Sequence, residues 1–80
     1  MEIIKRTGNS EAYDGQKIIN AIAKAFGSTG REVTRQTLEN LLVLVEQKLE
    51  TEAVKSVERI QDLVEQSLME SGFFEEGKRY

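Results

Sequence analysis

The sequence predicts a mostly α-helical (α+β) domain, a small bundle of three to four helices covered by an N-terminal β-hairpin lid. Three observations lead there. Apolar residues recur every three or four positions through Ile18–Phe26, Leu38–Leu49 and Ile60–Leu68, the period of a helix that buries one face. Each run follows a residue suited to capping a helix, Asp14, Thr34 or Ser56. The chain has no proline, so nothing in it removes a helical N–H or forces a kink.

The elements follow in order. Glu2 to Arg6 carries Ile3 and Ile4 and then two cations. Thr7-Gly8-Asn9-Ser10 is a turn cluster, because glycine and asparagine tolerate positive φ. Glu11-Ala12-Tyr13 returns as a second short strand, completing a hairpin. A lone hairpin is unstable and must lie on apolar surface. Being short, this one is expected to open locally at low cost. The first helix is predicted from Gly15 to Phe26, ended by Gly27-Ser28-Thr29-Gly30. The second is predicted from Arg35 to Leu49; Val43 and Leu44 widen its apolar stripe, which suggests a central helix. Thr51 to Lys55 is a connection with room for a short strand through Ala53-Val54. The third runs to Met69 with Ile60, Leu63, Val64, Ser67 and Leu68 inward, and Ser71-Gly72 stops it. Phe73 to Tyr80 starts a fourth helix that Phe73, Phe74 and Tyr80 can dock. Residues 1–80 are read as one domain, expected to be truncated at its C-terminus because they stop in mid-element.

Composition narrows the chemistry. A chain of 80 residues buries only roughly 60% of the surface its unfolded form exposes, so its stability is modest. Without cysteine there is no disulfide and no thiolate metal site; without histidine the commonest metal ligand and the commonest general acid–base group are missing. No nucleophile elbow, P-loop or dinucleotide fingerprint is present. The carboxylates are expected on solvated helix faces, where acids normally sit. The sequence therefore predicts a domain that is not an enzyme by itself. Fourteen acidic against eleven basic residues give a net charge of −3, unlike a protein that grips nucleic-acid phosphates, so no direct nucleic-acid partner is expected. The longest apolar run, Leu41 to Val45, is too short to span a membrane. No secretory signal follows Met1-Glu2, which points to the cytoplasm.

One group of residues invites a ligand. Lys5 and Arg6 precede the glycine turn, and Lys17 lies in the first turn of the first helix. A lysine there opposes the helix's own positive end, yet becomes useful if an anion sits at it. With the hairpin folded over that helix, Lys5, Arg6 and Lys17 would converge on a polyphosphate. Glu11 and Asp14 would accept hydrogen bonds from an exocyclic amine or sugar hydroxyls, and Ile3 and Ile18 would sandwich a flat base. By spacing alone, the commoner role of cations on a hairpin edge is solubility and the blocking of edge-to-edge pairing.

The ordered set of segments resembles a known family. Ile3-Ile4-Lys5-Arg6-Thr7-Gly8, Glu11-Ala12-Tyr13-Asp14 and Lys17-Ile18-Ile19-Asn20-Ala21-Ile22-Ala23-Lys24-Ala25-Phe26 are similar to the opening of the ATP-cone family: V-x-K-R-D-G, a strand ending in F-D or F-N, then K-I-x-x-A-I-x-K-A. Ser56-Val57-Glu58-Arg59-Ile60-Gln61-Asp62-Leu63-Val64-Glu65 resembles its S-V-E-E-I-Q-D-L-V-E helix start, and Gly72 to Tyr80 its G-Y-Y-E-V-A-K-A-Y end. Thr7 departs from the family's turn aspartate, and the basic residue that usually follows the final tyrosine is missing from this sequence. The resemblance implies ATP or dATP held between hairpin and bundle as an allosteric ligand, with Mg as the polyphosphate's companion and no redox cofactor. It implies Lys5, Arg6 and Lys17 at phosphates or sugar, Glu11 and Asp14 near adenine, Ile3 and Ile18 flanking it, and Val57 and Gln61 closing the sugar side. The parent it implies first is a ribonucleotide reductase of the anaerobic ribonucleoside-triphosphate class, an oxidoreductase of deoxyribonucleotide biosynthesis, where ATP favours activity and dATP suppresses it. Partners would be the rest of that protein and, under nucleotide control, further copies of the chain. Two alternatives stand beside it: the excised cone of a repressor of reductase genes, and a ligand-free helical interaction module using Phe73, Phe74 and Tyr80.

Overall fold

The structure, a computed structural model, describes residues 1–80 as a hairpin followed by four helices. β1 (Glu2–Ile4) and β2 (Ser10–Ala12) pair antiparallel, with Ile3 opposite Glu11. Gly8, at φ 90°, closes the turn by donating its N–H to the Lys5 carbonyl at 2.9 Å, a backbone shape that favours glycine. Side chains alternate across a strand, so Ile3 points into the bundle at 3% exposure while Ile4 points outward. The hairpin is also stitched from its other side. The Ile4 N–H donates to the Lys55 carbonyl at 2.9 Å, and Ile4 bridges Ser56 in parallel. β1 thus has a neighbour on both edges, and the hairpin is tied down more firmly than its length suggests.

The expected caps form. Asp14 accepts from the Gln16 N–H and starts α1 (Gly15–Thr29); Thr34 accepts from the Thr37 N–H and starts α2 (Arg35–Glu50). Ser56 accepts from the Arg59 N–H and starts α3 (Val57–Glu70), and α4 (Phe74–Arg79) completes the chain. α1 outruns its expected end. Gly27 stays helical, and the Ser28 hydroxyl donates back to the carbonyl of Ala25. The helix stops at Gly30, whose φ of 77° turns the chain out of it.

The closest backbone approaches are α1 with α2, α2 with α3, α3 with α4, and α4 with α1. The helices therefore form a ring around one core, built from Ile18, Ile22 and Phe26 of α1, Leu41, Val45 and Leu49 of α2, and Ile60, Leu63, Val64 and Leu68 of α3, with Ile3 of the hairpin at one end. Ser67 is buried as expected and satisfies its hydroxyl on the Leu63 carbonyl. Three expectations fail. α2 is no more central than its neighbours, and Val43 faces solvent, because the core is met by the Leu38-Leu41-Val45-Leu49 stripe with Leu42 at its edge. Ala53-Val54 forms no strand; the pairing with β1 is taken two residues later, at Ser56, and Val54 is exposed. Phe74 does not dock but lies open to solvent, while Phe73 and Tyr80 pack against the core, Phe73 edge-on to Phe26 with ring centroids 5.0 Å apart.

α4 also buries an acid where a solvated face was expected. Glu76 is fully buried. Its Oε2 accepts from the Thr29 hydroxyl and lies 3.5 Å from Arg31 Nε, while Oε1 has no partner. The Thr29 hydrogen bond holds the carboxyl below the usual carboxylate range, against the pull of burial, with Arg31 and Arg79 adding to it. No helix is long and apolar enough to cross a membrane.

Candidate functional site

Two capped helix starts and the hairpin meet at one end of the bundle. Asp14 delivers the chain from β2 into α1, and Ser56 delivers it from the β1-paired segment into α3. Both N-termini, with their unpaired N–H groups, therefore open at the same place. No acid occupies the first turn of α1, so its positive end is not offset there by its own side chains.

Between these elements lies an open cleft. Its volume is about 140 Å³. Seven of the nine residues expected from the sequence line it. Ile3, Ile18 and Val57 provide apolar wall, and Glu11, Asp14, Lys17 and Gln61 provide polar groups. Ile3 and Ile18 are both core residues, so they form a floor to the cleft and not two free jaws. Glu11 reaches the cleft because it sits opposite Ile3 in the hairpin and shares its face.

Lys5 and Arg6 do not line the cleft; they stand at its rim. Glu11 Oε2 gathers two cations, with Lys17 Nζ at 3.4 Å and Lys5 Nζ at 3.7 Å. Arg6 donates to Gln61 Oε1 at 2.9 Å and its Nε lies 3.5 Å from Glu58. All three expected cations are thus already paired with acids. Arg6 clamps the hairpin turn to α3 across 55 residues of sequence.

The sequence reading missed Ala12, Tyr13, Ile60 and Tyr80, which also line the cleft. Ile60 was legible only as core. Tyr13 has a second attachment: its hydroxyl donates to Glu46 Oε2 of α2 at 2.8 Å. Burial first, and then the hydrogen bond to Glu46, push its ionisation far above the ordinary tyrosine value, so it remains a donor at neutral pH. Tyr80 comes back from the end of α4, half-buried, and burial raises its ionisation also.

A model of the ATP cone domain family matches residues 1–80. The chain belongs to the ATP-cone family. A comparison with curated proteins gave no match. An ATP cone is a nucleotide-binding regulatory domain and not a catalytic one. In this ATP cone the cleft sits where hairpin, α1, α3 and Tyr80, just after α4, converge.

Proposed function

We propose that this ATP cone binds ATP and dATP in the cleft and releases them unhydrolysed, acting as an allosteric switch. The observation that carries the reading is the convergence: a ligand in the cleft touches hairpin, α1, α3 and Tyr80 together. It is thereby able to favour one arrangement of the four over another, which is all that allosteric control requires. The base would rest on Ile3, Ile18 and Val57. Glu11 and Asp14 would accept from its exocyclic amine, while Lys17, Lys5 and Arg6 at the rim, with Gln61, would face sugar and phosphate. Mg²⁺ would enter on phosphate oxygens, its usual ligands.

The parent this reading favours is an anaerobic ribonucleoside-triphosphate reductase, in which nucleotide identity would control activity or assembly of copies. The same cleft would serve the cone of a reductase-gene repressor. Calorimetry with ATP and dATP at millimolar concentration tests the binding, and GTP and CTP serve as controls. Saturable binding of the adenine nucleotides with no release of phosphate is expected. Silence with both adenine nucleotides, or equal binding of all four, overturns the reading.

A further inference from the structure

α4 is the least self-sufficient helix of the fold. It has six residues and no side chain caps its start, whereas an isolated helix needs roughly 12–15 residues to hold in water. Its place is therefore set by the side chains it sends inward. Phe73, Glu76 and Tyr80 follow one another at helical spacing and share one face. Phe73 and Tyr80 pack against the core, and Glu76 lies between them, fully buried. On the α3 side Gly77 is pressed on Met69, where a Cβ would meet the Met69 methyl at 2.9 Å.

Glu76 meets the far end of α1. Thr29, the last residue of that helix, donates its hydroxyl to Oε2, and Arg31 just beyond brings Nε to 3.5 Å from the same oxygen. The Arg31 guanidinium also lies over the Phe73 ring, 5.6 Å from its centroid, so one arginine grips both ends of the first turn of α4. Oε1 has no partner, so the carboxylate is fixed through one oxygen alone. At the other end of α4 the Tyr80 N–H donates to the Glu76 carbonyl at 2.9 Å, and Tyr80 lines the cleft. From Lys17 at the cleft to Thr29 is about 18 Å along the α1 axis, so this latch lies well away from the groups that would meet a ligand.

Resting on the nucleotide reading above, we propose that Glu76 is a positioning residue for the nucleotide site: its buried grip on Thr29 and Arg31 sets α4 against α1 and so holds Tyr80 in the wall of the cleft. The chain then has two arrangements, one with α4 latched and Tyr80 at the cleft, the other with α4 released and that wall withdrawn. A nucleotide that touches Tyr80 favours the latched arrangement by its differential affinity. Loosening the latch lowers affinity without altering any group in the cleft, because binding must first restore the wall. By the reciprocity of linkage, the bound nucleotide secures α4 in turn.

The test is calorimetry with ATP on the parent chain, on Glu76→Gln, on Arg31→Gln, on Tyr80→Ala and on Glu76→Gln combined with Tyr80→Ala, each held well below its own melting temperature. Arg31 is half exposed, so its replacement breaks the latch without disturbing the core. NMR of the ligand-free proteins follows the ring signals of Tyr80 and Tyr13. Glu76→Gln and Arg31→Gln should each lose roughly fivefold or more in ATP affinity. Both should move the Tyr80 ring signals towards those of free tyrosine and leave those of Tyr13 in place. In the Tyr80→Ala background Glu76→Gln should cost no further affinity, since the wall it holds is already gone. An unchanged ATP affinity in Glu76→Gln, or an equal loss with and without Tyr80, overturns the proposal and leaves the nucleotide reading standing. Tyr80 signals that stay in place in both latch variants overturn it as well. A parent chain that binds no ATP overturns the nucleotide reading and this inference with it.

Discussion

Tyr13 shows how one side chain serves both fold and site. Its ring lines the cleft, and its hydroxyl ties the residue before the α1 cap to Glu46 of α2. Sequence reasoning placed it as a strand end and went no further, since the partner lies 33 residues away. Tyr13→Phe keeps the ring and removes only the hydrogen bond. Glu46 stays within reach of water, so the expected cost is about 1 kcal/mol. In a domain of this size that lowers Tm by roughly 4–8 °C. Thermal melts would show it, and ATP affinity should be retained. A melt that overlays the parent's would mean the bond contributes nothing. Glu11 was more legible, because its pairing opposite Ile3 follows from the hairpin register. Its role as the common partner of Lys5 and Lys17 was hidden, because charge pairing depends on which side chains share a rim and not on spacing.

At the scale of elements, periodicity and caps located α1, α2 and α3 to within a few residues, because both are local properties of the chain. The losses came from contacts that spacing does not encode. The end of α1 moved by three residues, with the Ser28 hydroxyl bonded back to the Ala25 carbonyl. α4 was foreseen as a helix docked by aromatics, yet its deepest side chain is an acid, Glu76. That acid makes the docking of α4 depend on pH. A carboxyl whose folded value lies below its unfolded one adds stability above the unfolded value, and that stability is lost as pH falls through the folded value. Melts taken from about pH 7 down to about pH 3 should therefore show Tm falling with acid more steeply in the parent than in Glu76→Gln. The variant should start lower at neutral pH, with Thr29 and Arg31 deprived of their charged partner. Glu52 is lowered likewise by its hydrogen bond from Arg59, so the variant's slope should shrink without vanishing. Parallel slopes in the two proteins would remove Glu76 from the account.

At the scale of the whole molecule, the hairpin is not a loose flap. Ile3 sits in the core, the Ile4 N–H is bonded to Lys55, and Arg6 holds α3. The expectation of easy opening came from the hairpin's length, which says nothing of the segment before α3 that pairs with it. Ligand is therefore expected to tighten the free side of the hairpin and not the whole of it. Hydrogen exchange with and without ATP should show protection rising across Glu11 to Lys17 and Val57 to Gln61. It should change little across Leu38 to Leu49 or at the already bonded Ile4. Uniform protection, or protection centred on α2, would contradict a ligand held in the cleft.

The stitch between Ile4 and Lys55 also bears on how the chain reaches its native state. Helices gain their hydrogen bonds locally and quickly, whereas β1 is held from its second side only after most of the chain has been brought back to meet it. The entropy of closing that long loop is spent before its contacts return anything. The end of the bundle where hairpin, α1 and α3 join is thus expected to assemble after the folding transition state, and φ-values near zero at Ile3 and Val57 would show it. Interactions made so late act on the rate of unfolding and leave the rate of folding nearly untouched. A nucleotide that recognises only the finished cleft would then lengthen the lifetime of the folded chain without hastening its birth.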